Sequence, residues 1–174
     1  MSLVELLGPH HGRTSFDCGK EPLNRFIREQ ARQNADRYLG ATHVVVASAG
    51  AVAIQGYFTL VTRTVESVDF PAGKPKLPRG PIGVVLLGRL AVDLKYQRQR
   101  LGQRMLLRAM AEVAHAAQHV GIFALVLDTI DEEARHWYLS LDFGLQPFPE
   151  HPTRLYVPMS FLQQLDFGEP TPKL

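Results

Sequence analysis

The segment Ile82–Val92, IGVVLLGRLAV, constrains the fold more than any other part of the chain. It is a nearly continuous apolar run, too short to cross a bilayer and of the kind that forms a strand covered on both faces. The stretch that follows, Asp93–Leu101, is polar and basic. A helical pattern then runs from about Gly102 to His119, with Leu106, Ala109, Met110, Val113 and Ala117 on one face. A covered strand feeding a loop and an amphipathic helix belongs to a layered fold of helices on a sheet. The same geometry aims unpaired helix N–H groups at the loop, where anions bind.

The flanking sequence extends this reading. Pro22 opens a helical stretch with Leu23, Phe26, Ile27 and Ala31 on one face, extended by Tyr38 and stopped at Gly40. Thr42–Ser48 reads as a strand, Ala49-Gly50 as a turn, Ala51–Leu60 as a second strand and Val61–Val68 as a third. Four prolines and two glycines make Pro71–Pro81 a loop. After a stop at Gly121, Phe123–Leu127 is a buried-type strand, Asp131–Leu141 a short helix, and Phe143–Pro149 and Arg154–Pro158 closing strands. Residues 168–174 form a frayed tail. The order predicts an α/β (α+β) fold in a single domain over 1–174, with its core at about 16–165, and 174 residues can bury such a core unaided. With one cysteine, Cys18, no internal disulfide can form, and neither a secretion signal nor a membrane span is legible, so a reducing cytoplasm is the expected setting.

Charge is unevenly placed. Between Lys74 and Arg108 stand nine cations and one acid, Asp93, so this stretch carries +8 while the whole chain carries +2. Such a field favours a polyanionic ligand, and a solvated surface diluted by its neighbours in the fold is the alternative. Arg98, Arg100 and Arg104, in the loop and first helical turn, are placed for charge-assisted phosphate contacts.

The segment GRLAVD followed by YQRQRLGQRML resembles the acyl-CoA-binding motif of GNAT-fold N-acetyltransferases, Gln/Arg-x-x-Gly-x-Gly/Ala. Gln97 and Gly102 match its ends, and Arg100 replaces its first glycine. That arginine either narrows the pyrophosphate cradle or binds the phosphates directly. The resemblance extends over roughly Phe16–Met159: FDCGKEPLNRFIREQARQN, LDTIDEEARHWY and FGLQPFPEHPTRLYVPM are similar to blocks of the GNAT toxins of toxin–antitoxin modules. It implies a central mixed, mostly antiparallel sheet flanked by helices, acetyl-CoA as co-substrate without a metal, and acetylation of the α-amino group of aminoacyl-tRNA that blocks translation. It further implies a ribbon-helix-helix antitoxin, and homodimer or antitoxin contacts by the first helix. Cofactor binding would fall to the strand edge Leu90, Ala91 and Val92, and to Gln97, Arg98, Gln99, Arg100, Leu101, Gly102, Gln103 and Arg104. Tyr138 matches the family's catalytic tyrosine, a phenol able to protonate the departing thiolate. Arg79, Arg89, Lys74 and Lys76 are the candidates for gripping tRNA, with an ion pair to Asp93 or Asp128 as the alternative for Arg89.

Two other functions fit the same fold. One is N-acetylation of a small amine or a protein N-terminus, although the basic segment would repel a polyamine. The other is a CoA-fold binding module that Arg100 has weakened or inactivated. The remaining reactive residues have plainer explanations. His115 and His119 share a solvated helix face, His10 and His11 lack a chelating spacing, and Cys18 is a small packing residue. Asp131, Glu132 and Glu133 complement the dipole of the helix they open.

Overall fold

The computed structural model describes residues 2–73 and 76–167, so Lys74 lies outside the described residues. The elements are β1 (Leu3–Leu6), α1 (Glu21–Arg25), a π-helical turn (Phe26–Gln30), α2 (Ala31–Asp36), β2 (Ala41–Val46), β3 (Gly56–Glu66), β4 (Pro81–Val92), α3 (Leu101–Ala116), β5 (Ala124–Asp128), α4 (Glu132–Ser140), β6 (Gln146–Pro147), β7 (Arg154–Pro158) and α5 (Met159–Leu162). The strands form one seven-stranded sheet in the order β1-β2-β3-β4-β5-β7-β6. β4 and β5 run parallel, whereas β1–β2, β2–β3, β5–β7 and β6–β7 are antiparallel. This is the mixed, mostly antiparallel sheet expected of a GNAT fold. Among the described residues, no helix is long and apolar enough to cross a membrane.

The chain divides into two compact units, Met1–Val61 with Gly88–Ala109 and Thr62–Leu87 with Met110–Leu174. The first is built on Phe16, Phe26, Ile27, Ala31, Val44, Val46, Ile54, Tyr57 and Ala91, all buried. The helical stretch predicted from Pro22 onward is present, with a π turn in which both Phe26 and Ile27 are buried, but it ends at Asp36, so Tyr38, at a φ of 56° and 97% exposed, lies beyond it and does not extend its apolar face. In the second unit, Val65, Phe70, Val84, Ala124, Val126, Phe148 and Tyr156 form the core, with the Phe70 ring edge-on to Phe123 at 4.9 Å and to Tyr156 at 5.3 Å.

Several boundaries differ from the sequence reading. The strands expected at Ala51–Leu60 and Val61–Val68 are one strand, β3, because no turn residue separates Leu60 from Val61. Ala51–Gln55 is instead a lead-in that makes a single bridge, Ala53 to Gly12. At Gly56 the backbones approach so closely that a Cβ would stand 2.6 Å from Met105 Sδ and 3.0 Å from the Ala91 carbonyl. Helix α3 ends at Ala116, so Ala117 falls in the turn beyond it. The strand expected over Phe143–Pro149 shrinks to Gln146–Pro147, since Asp142 and Gly144 take positive φ values of 56° and 77° and bend the chain. β1 and α5 carry too few residues to show a period and are not read from sequence.

Candidate active site

The basic loop is held by a buried carboxylate. Asp93, at the end of β4, is 5% exposed. Its Oδ1 accepts from the Lys95 N–H at 3.0 Å and its Oδ2 from the Asp17 N–H at 3.1 Å. The Asp93 N–H donates to the Gln55 carbonyl at 3.0 Å, and the Leu94 N–H to the Asp17 carbonyl at 2.8 Å. Asp17 Oδ1 accepts in turn from the Gly19 N–H and from Asn24 Nδ2, both at 2.8 Å. These donors hold the Asp17 carboxyl below its ordinary range, the Gly19 N–H most of all. Asn24 is buried and accepts from the Cys18 N–H at 2.9 Å. Finally, Gln97 Nε2 donates to the Val92 carbonyl at 2.9 Å and to the Cys18 carbonyl at 3.1 Å.

The stretch DCGKEPLN is therefore the frame of the 93–100 loop. Asp17 and Asn24 escape assignment by sequence chemistry. Their only signal is membership of the family-like block. The side-chain amides of Gln97 and Gln99 are engaged within the loop, the latter on the Lys95 carbonyl at 3.2 Å.

Arg98 and Arg100 both adopt φ of 59°. Arg100 thus takes the backbone conformation natural to the glycine it replaces in the motif, at a strain of about 1–2 kcal/mol for a residue with a Cβ. Its carbonyl accepts the Arg104 N–H at 3.2 Å and so starts α3. The N–H groups of Leu101, Gly102 and Gln103, in the first turn, have no acceptor within the helix. Gln97, Arg98, Gln99, Arg100 and Arg104 are exposed, Gly102 and Gln103 half-buried, and Leu101 buried. Replacing Arg100 with glycine removes the strain and adds about 0.4–1 kcal/mol of unfolded-state entropy, so a urea titration should show a net gain of roughly 0.5 kcal/mol. Direct phosphate binding by Arg100, one of the two roles its sequence position leaves open, predicts that loss of the guanidinium raises the KM for acetyl-CoA about five-fold. An unchanged KM would remove Arg100 from phosphate binding.

On β4, Leu90 and Val92 are half-buried and Ala91 is buried. Arg89 lies with its guanidinium carbon 3.7 Å from the centroid of the Phe26 ring. Burial pulls its pKa down. Neither expected acid pairs with it: Asp93 is occupied by backbone N–H groups, and Asp128 by Arg154 at 2.7 and 3.3 Å.

Tyr138 belongs to the second unit. Its helix, α4, is capped by Asp131, whose Oδ1 accepts the Ala134 N–H at 2.7 Å, and Glu132 and Glu133 stand in the first turn. Arg135 fastens the helix by donating to Glu132 at 3.1 Å and to the Pro152 carbonyl at 2.9 Å. Tyr138 is half-buried and packs edge-on against Trp137 at 4.8 Å. Desolvation pushes its phenol pKa well up, so the hydroxyl stays protonated throughout the neutral range. Arg79 and Lys76, in the same unit, are exposed.

Among the described residues, Glu5, His10 and His11 are the group with metal-like proximity. Protein contacts engage both nitrogens of the His11 ring: Nδ1 accepts the Gly8 N–H at 2.8 Å, and Nε2 meets Glu5 at 3.0 Å. An ion on Nε2 would require the opposite tautomer and break the Gly8 bond. Cys18 is buried, its thiol pKa raised by desolvation and its Sγ on the Lys20 carbonyl at 3.6 Å, which suits a packing residue.

No protein-family model matches the chain. It is 32% identical over 134 residues, 77% of this chain and 79% of the relative, to the tRNA-acetylating toxin of Mycobacterium tuberculosis strain H37Rv. The chain belongs to this family of GNAT-fold toxins. Two solved structures of a relative, the toxin AtaT, align over nearly the whole chain. One is AtaT complexed with acetyl-methionyl-tRNAfMet, at 27% identity and a TM-score of 0.86, covering 94% of this chain and 98% of AtaT. The other is a tyrosine-to-phenylalanine variant of AtaT bound to the C-terminus of the antitoxin AtaR and acetyl-CoA, at 26% identity and a TM-score of 0.80, covering 96% and 99%.

Proposed function

We propose that this toxin is an N-acetyltransferase that moves the acetyl group of acetyl-CoA to the α-amino group of aminoacyl-tRNA and so blocks translation. The observation that carries the reading is the near-complete alignment with AtaT in its complex with acetyl-methionyl-tRNAfMet. The basic segment and Arg89, which stacks on Phe26 and pairs with no carboxylate among the described residues, support a polyanionic acceptor over a small amine. An antitoxin of the ribbon-helix-helix type, a cytoplasmic setting and a homodimer complete the reading. AtaT bound to the antitoxin AtaR supports its toxin–antitoxin part.

In the proposed reaction, the first N–H groups of α3, with Arg98, Arg100 and Arg104, hold the pyrophosphate of acetyl-CoA. The edge of β4 at Leu90–Val92 pairs with the pantetheine amides. The neutral α-amine attacks the thioester carbonyl, a C–N bond forms, the C–S bond breaks, and the electron pair leaves on sulfur. Tyr138 donates its hydroxyl hydrogen to that sulfur as the charge develops. The amine proton passes to water or a backbone carbonyl, and solvent restores the phenol. With a phenol pKa above that of a thiol, about 8.5, the contribution of Tyr138 is greatest as a hydrogen-bond donor to charge in the transition state. Arg79, Arg89 and Lys76, with Lys74, bind the tRNA phosphates.

Transfer of labelled acetyl from acetyl-CoA to bulk charged tRNA, with uncharged tRNA alongside, tests the reading. Label on charged tRNA alone is expected. No label with acetyl-CoA binding intact would favour a small-amine or protein acceptor, and no saturable acetyl-CoA binding would favour a binding module. The pH profile follows from the raised phenol. Activity should rise with pH as the acceptor amine, of ordinary pKa about 8, loses its proton. It should not fall again before pH 9, because Tyr138 remains protonated there. A descending limb below pH 9 would show that the acid titrates earlier than its burial allows.

A further inference from the structure

Arg89 is the top of an aromatic column. Beneath its guanidinium, at 3.7 Å, lies the Phe26 ring, which is 3% exposed. Phe26 stacks on Tyr57 at 6.1 Å and 23°. Tyr57 is fully buried, with its hydroxyl donating to the Leu23 carbonyl at 2.7 Å and Phe16 meeting its ring edge-on at 5.3 Å. Phe26 is also the first residue of the π turn, in which both it and Ile27 are buried. Single π turns inside helices recur at functional sites.

The arrangement leaves a specific resource unspent. Among the described residues no carboxylate pairs with Arg89. A guanidinium lying over a ring uses its face and keeps its in-plane N–H donors free. Those donors match the oxygens of a phosphodiester in geometry and charge. A lysine would lack both the stacking plane and the fork.

We infer that Phe26 is a positioning residue, fixing the plane of Arg89 so that its N–H edge receives a phosphodiester of the tRNA acceptor end. The inference rests on the aminoacyl-tRNA reading above. Arg89 makes the contact, and Phe26 acts only through it.

The test is steady-state acetylation of charged tRNA by wild type, Phe26→Leu, Arg89→Ala, the double variant and Phe16→Leu. Phe26→Leu should raise the acceptor KM about three- to ten-fold and leave kcat and the acetyl-CoA KM within about two-fold. Arg89→Ala should raise the acceptor KM at least as much, and Phe26→Leu should add nothing in that background. Phe16→Leu alters the same aromatic cluster without touching Arg89, so it should lower the unfolding midpoint and leave the acceptor KM unmoved. An undiminished Phe26→Leu effect in the Arg89→Ala background, or an equal effect of Phe16→Leu, would reduce Phe26 to a core residue. An unchanged KM for Arg89→Ala would remove the contact itself. Failure of wild type to label charged tRNA would instead overturn the aminoacyl-tRNA reading beneath it.

Discussion

Tyr138→Phe should lower kcat for acetyl transfer at least about 100-fold, the low end of what a positioned proton donor contributes. The ring is half-buried and packs on Trp137, so phenylalanine preserves shape and apolar contact. Among the described residues the hydroxyl has no hydrogen-bond partner, so its removal orphans no protein group. Loss of a desolvated polar atom should leave stability unchanged or slightly higher. The expected pattern is thus a fallen kcat with wild-type Kd for acetyl-CoA, wild-type acceptor binding and an unshifted melting transition. In cells the variant should no longer arrest growth. Full toxicity from a protein inert in the acetylation assay would separate toxicity from this chemistry. A kcat within about three-fold of wild type would give the proton to solvent and leave Tyr138 a packing residue.

How much of this was legible in the sequence depends on range. The run Ile82–Val92 reads as a covered strand from composition alone, and β4 spans Pro81–Val92. The stripe Leu106, Ala109, Met110 and Val113 reads as one helix face, and all four are buried. These are local signals, set by periods of two and 3.6 residues. The π turn is not legible, because Phe26 and Ile27 fit an ordinary helix equally well in one dimension. Charge is visible in a sequence, so an acid, Asp93 or Asp128, is the partner that sequence suggests for Arg89. The partner is the Phe26 ring, 63 positions earlier in the chain. The frame of the basic loop is hidden for the same reason. Asp17 and Asp93 are separated by 76 residues, and neither falls in a motif that chemistry alone would single out. The positive φ of Arg98 was equally invisible. At Arg100 the only hint was the glycine expected there. Family resemblance supplied what spacing could not, because it marks residues that act together without saying how.

Asp93→Ala should produce the largest loss of stability. The carboxylate is 5% exposed and is the acceptor for two backbone donors, the N–H groups of Lys95 and Asp17. Alanine leaves both without this acceptor, and the loss of a hydrogen bond to a charged group costs about 1.5–3 kcal/mol. Allowing for partial relaxation and entry of water, about 3 kcal/mol in total is expected. For a chain of 174 residues that corresponds to a fall in Tm of roughly 6–12 °C. Asp93→Asn should recover little of it. An amide presents one oxygen and one NH2 group, and the NH2 must face a backbone donor. Gln97→Ala offers the contrast: it frees the carbonyls of Val92 and Cys18 from an exposed side chain, and water can replace it, so less than about 1 kcal/mol is expected. The functional consequence separates these effects from plain destabilisation. The Asp93 network sets where the basic loop leaves β4, so the KM for acetyl-CoA should rise in Asp93→Ala even at temperatures where the protein is fully folded. If the variant instead loses 3 kcal/mol and keeps its KM, the loop holds its shape through Arg100 and α3, and Asp93 serves the core alone.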